Sequence, residues 1–111
     1  MFVVTGATGR TGNAVANYLL DKGENTRVIS RNIEKLQPLI DKGAEGFVSE
    51  PDDYKKLATA FSEAEVAYIM LQPNYIVTSN DFRAYQNRVT DAIVKAIEKS
   101  GIKNIVVLSS W

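Results

Sequence analysis

Val3-Val4-Thr5-Gly6-Ala7-Thr8-Gly9-Arg10-Thr11-Gly12 lies almost at the start of this chain, and its reading decides the fold. An apolar run ends in three glycines spaced by three, and a helical pattern begins directly behind them. The spacing predicts a strand, a tight turn and a helix N-terminus. Gly6 allows the sharp turn, Gly9 allows close backbone approach to an anion, and Gly12 allows close helix–strand contact. The amides at such a helix start, with Arg10 and the Thr8 and Thr11 hydroxyls beside them, form a donor set suited to a dinucleotide pyrophosphate. A glycine loop that merely turns is the plainer alternative. The flanking strand and amphipathic helix favour the nucleotide reading, because they supply the context that the fingerprint requires.

Working outward, strand and helix patterns alternate to the end. The first strand is Phe2 to Thr5, and a helix over Asn13 to Lys22 follows with Val15, Ala16, Leu19 and Leu20 inward. Thr26 to Ser30 is a second strand. Asn32 caps the next helix, with Ile33, Leu36 and Ile40 inward, Pro38 shortening it and Gly43 closing it. Phe47-Val48 centres a third strand, and Asp52 or Asp53 caps a helix that buries Leu57, Ala60 and Phe61. Val66 to Leu71 is apolar enough for a strand covered on both faces, and Pro73 ends it. Residues 74–81 are polar and without period. The longest helix then runs from about Phe82 to Ser100, with Val89, Ile93, Ala96 and Ile97 on one face, before a fifth strand at Ile105 to Leu108. Short connections in this order predict an α/β, three-layer Rossmann-type sandwich, with a parallel five-stranded sheet in the order 3-2-1-4-5.

Composition narrows the chemistry. The 111 residues fit one domain, and 45% hydrophobic with 23% charged residues is the balance of an ordinary globular chain. Thirteen basic and thirteen acidic side chains cancel, which argues against nucleic acid or a membrane surface as partner. With no cysteine there are no disulfides or thiolate ligands, and with no histidine the commonest metal ligand is missing, so no metal is expected. A cytoplasmic location is the expectation. No apolar run reaches the roughly 18 residues of a spanning helix.

The strand ends carry the remaining candidate residues. An NAD site places an acidic residue after the second strand to bind the ribose hydroxyls. This chain has Ser30-Arg31 there and Lys35 about a turn later, a set suited to a 2′-phosphate. The charge pattern therefore points to NADP(H), with NAD(H) the alternative and a solvated surface Arg the plain one. After the third strand, Glu50 and Asp52 lie where adenine would sit, though helix capping explains Asp52 equally well. Leu71, Gln72 and Pro73 fall at the switch point of the sheet, toward the nicotinamide side. Asn87 reads as a cofactor contact or a surface residue, and Ser109 and Ser110 as cofactor-edge residues or strand termination. No lysine follows the glycines as a nucleoside-triphosphate loop requires. A flavodoxin-like FMN site shares the topology, but the glycine spacing and Arg31 disfavour it.

Gly6-Ala7-Thr8-Gly9-Arg10-Thr11-Gly12, Ser30-Arg31, Val66 to Pro73 and Ile105-Val106-Val107-Leu108-Ser109-Ser110 together resemble the N-terminal half of the NmrA-like group of atypical short-chain dehydrogenase/reductase proteins. The resemblance covers essentially the whole chain. It implies an NADP(H)-binding domain of a quinone-reductase-like oxidoreductase or, alternatively, a non-catalytic NADP(H)-sensing module or a fragment with structural integrity only. It also implies that Arg10 and Arg31 favour NADPH and that Gln72-Pro73 borders the nicotinamide. Two departures stand out. Ser49-Glu50 replaces the usual Gly-Asp, and neither Tyr75 nor Tyr85 forms a Tyr-x-x-x-Lys pair, so no general acid is assigned. Relatives continue into a substrate lobe that these 111 residues do not contain. Separately, an outer edge of the fifth strand at Ile105 to Leu108 without a partner strand predicts a dimer or an aggregation-prone monomer.

Overall fold

Val3 and Val4 are both fully buried although they are neighbours, because β1 (Phe2–Val4) runs through the middle of a sheet with helices on both faces. The computed structural model describes residues 1–50, 52–71 and 80–109, with residues 71, 80–87 and 109 described by backbone alone. After β1 come α1 (Arg10–Asp21), β2 (Thr26–Ser30), α2 (Ile33–Asp41), β3 (Glu45–Val48), α3 (Tyr54–Phe61), β4 (Val66–Leu71), α4 (Asn80–Ser100) and β5 (Asn104–Ser109). The sheet is parallel with order β3-β2-β1-β4-β5, as the alternation of patterns predicts.

The period of two in β1 and β2 sorts side chains between two dry layers. Val3 and Ile29 join Leu57, Ala58, Ala60 and Phe61 of α3 and Ile93 and Ala96 of α4 on one face. Val4 and Val28 join Ala16 and Leu19 of α1 and Leu36 and Leu39 of α2 on the other. This places α1 and α2 opposite α3 and α4, with the strand order reversing between β1 and β4.

Several boundaries and faces differ from the sequence reading. The first helix starts at Arg10, not Asn13, because Gly9 holds an extended N-cap conformation (φ −78°, ψ 167°) and the helix follows at once. Arg10, Thr11 and Gly12 are therefore its first turn. In α2, Leu39 takes a buried place while Ile33 is 43% exposed. Ile33 and Ile40 instead lean over Gly46 of β3: a Cβ on that glycine would meet their Cδ1 atoms at 2.9 and 2.7 Å. Pro38 lies within α2, where its missing N–H leaves the Glu34 carbonyl without a helical donor on the exposed side, at little cost. β4 is only partly as covered as its composition suggests, with Ala67 and Ile69 buried and Tyr68 and Met70 half-buried. On β5, Ile105, Val106 and Val107 are 42%, 38% and 53% exposed.

Arg27 is the unexpected core residue. Its side chain is buried in β2, where Nη1 donates to the Ala60 carbonyl at the end of α3 (2.8 Å). Nε and Nη2 donate to the two carboxylate oxygens of Glu45 on neighbouring β3 (3.1 and 3.2 Å).

Candidate dinucleotide-binding site

The turn after β1 is fixed from both sides. Thr5 N–H donates to the Tyr68 carbonyl (3.0 Å), and its Oγ1 donates to the same carbonyl (3.4 Å) while accepting from Met70 N–H (3.0 Å). Ala7, fully buried, donates its N–H to the Ile29 carbonyl on the β2 side (3.4 Å). The loop thus spans the reversal point, bonded to β4 on one flank and β2 on the other. Thr5 was not legible as a site residue. Its only signal is a hydroxyl ending an apolar run just before a glycine, which reads as ordinary strand termination.

Gly6 turns the chain with φ +60°, a left-handed conformation that disfavours any residue with a Cβ. Its carbonyl accepts from Gly9 N–H (3.0 Å), and the Gly9 carbonyl accepts from Asn13 N–H (2.8 Å). Gly12 lies directly on this turn. A Cβ there would stand 2.2 Å from the Gly6 oxygen and 2.8 Å from its carbonyl carbon. The close contact expected of Gly12 is therefore with the turn itself.

The result is a helix start whose donors are left available. Gly9 offers no side-chain cap, no acidic residue occupies the first turn, and Arg10, Thr11 and Gly12 N–H have no acceptor among the described residues. The next two helices differ: Asn32 Oδ1 accepts from Glu34 N–H (2.9 Å), and Asp53 Oδ1 from Lys56 N–H (3.2 Å). An anion suits the α1 terminus, since three backbone donors and the positive end of the helix dipole meet there. Exposed Gly9 at the N-cap carries no side chain to hold an anion away from the backbone.

Around the crevice, Thr8, Gly9 and Arg10 are exposed and Thr11 is half-buried. Ser30 ends β2, and its hydroxyl accepts from Asn32 N–H (3.3 Å), which leaves the hydroxyl proton free to donate. Arg31 and Lys35 are exposed and make no ion pair among the described residues. Beyond β3, buried Ser49 continues the ladder by donating to the Ser30 carbonyl (3.1 Å) and its Oγ donates to the Glu50 carbonyl (2.9 Å), with the Glu50 side chain exposed. Of the two aspartates, Asp53 is the helix cap; Asp52 lies 4.0 Å from Arg88 Nε on α4. Leu71 and Ser109 pair in register at the ends of β4 and β5. Gln72, Pro73, Tyr75 and Ser110, and the side chains of Tyr85 and Asn87, lie outside the described residues.

Replacing Thr5 with Val is expected to cost about 1–2 kcal/mol, because Met70 N–H is left without its acceptor while shape is kept. Urea unfolding checks this, and an unchanged midpoint would show that the hydroxyl does not tie loop to strand.

Fold and loop together define a Rossmann-type α/β domain with its glycine turn at the switch point. The chain belongs to the NmrA-like family, whose model matches residues 1–110. It is similar to the triphenylmethane reductase of Citrobacter sp., with 29% identity, a TM-score of 0.80, and coverage of 96% of this chain and 36% of that one. The same reductase in complex with NADP(H) matches at 28% identity with a TM-score of 0.80 over 96% of this chain and 36% of that one. An NADPH-dependent quinone oxidoreductase of Escherichia coli, complexed with NADPH, matches at 25% identity with a TM-score of 0.73, again over 96% of this chain and 36% of that one. The chain therefore spans little more than a third of the length of these reductases. No curated protein sequence matches it. Among the described residues no helix is long and apolar enough to cross a membrane.

Proposed function

We propose that this chain is the NADP(H)-binding part of an NmrA-like oxidoreductase of the quinone-reductase type. The observation that carries the reading is the α1 terminus: three N–H donors without acceptors among the described residues, no first-turn carboxylate, and an exposed glycine at the N-cap. Arg10, Thr11 and Gly12 N–H would hold the pyrophosphate, with the Thr8 and Thr11 hydroxyls beside them. Arg31 and Lys35 would meet the 2′-phosphate, and the Ser30 hydroxyl would donate its free proton to the same group. Glu50 and Asp52 would border the adenine side, and Leu71 and Ser109, with Gln72-Pro73 as the sequence reading assigns them, would border the nicotinamide side. Bound nicotinamide supplies hydride transfer, and this chain's residues bind and orient it.

Titration with NADPH and NADH tests the assignment. Arg31→Ala is expected to weaken NADPH about 10- to 100-fold, the size of one or two lost charge-assisted contacts, and to leave NADH nearly unchanged. Equal affinity of the native chain for both cofactors, unmoved by the substitution, would sink the 2′-phosphate assignment. Oxidation of NADPH with a quinone panel, in the longest form of the protein that carries these residues, separates a reductase from a protein that binds without turnover.

A further inference from the structure

We draw no further inference here: the strongest candidate, the apolar outer side of β5 at Ile105, Val106 and Val107, carries nothing because nothing in the structure shows what covers it.

Discussion

A Gly12→Ala chain is expected to melt roughly 10 °C or more below the native one and to bind NADPH at least about 100-fold more weakly. The physical cause is a collision with backbone. The new methyl would sit 2.2 Å from the Gly6 oxygen, and 3.2 Å from Ala7 Cα. No rotamer relieves it, so α1 or the turn must move. Overpacking of well-filled sites typically costs about 1–3 kcal/mol, and a rigid neighbour puts this case at the upper end. The turn cannot yield easily, because Thr5 binds it to β4 and Ala7 to β2. Moving α1 displaces the three N–H groups that face the proposed pyrophosphate, so stability and affinity fall together. Gly9→Ala is the internal comparison. Its methyl would meet the same oxygen at 3.3 Å, tight but accommodated by a small shift, and a much smaller loss is expected. Calorimetry and cofactor titration on both variants check this. A Gly12→Ala chain with native melting temperature would contradict the close contact.

Arg27→Met is expected to cost about 3 kcal/mol in urea unfolding, with little change in cofactor affinity. Methionine keeps much of the apolar stem but not the donors. The Ala60 carbonyl then loses its 2.8 Å partner inside the protein, which is the larger part of the loss. The carboxylates contribute less. Glu45 is 52% and Glu63 72% exposed at the side chain, so water screens both pairs. Glu45→Gln should therefore cost under about 1 kcal/mol. If the two variants proved equally destabilised, the ion pair rather than the carbonyl would be the principal contribution.

These two residues mark what the sequence conveys and what it does not. Strand order, layer assignment and the glycine turn follow from period and spacing, because alternation of short strands with amphipathic helices leaves few ways to cover a parallel sheet. Asn32 was readable as a cap for the same local reason. Arg27 is not readable beyond its membership of a strand, since its partners lie on β3, in the last turn of α3 and just past its end, far along the chain. Thr5 reaches 65 residues away to Met70, a separation that no local pattern encodes. Helical period alone points Ile33 inward. Its true position depends on the missing side chain of Gly46 across the α2–β3 contact. Asp52 and Asp53 were locally indistinguishable; only the folded backbone selects Asp53 as the cap.

The donors at the start of α1 belong to peptide groups, not to side chains. Side-chain truncation in this region would leave them in place: shortening Thr8, Arg10 or Thr11 removes accessory contacts but no N–H. The central contact of the proposed site is therefore hidden from any survey that only removes side-chain atoms. It becomes visible when a glycine gains a carbon, or when one amide is replaced by an ester through chemical synthesis.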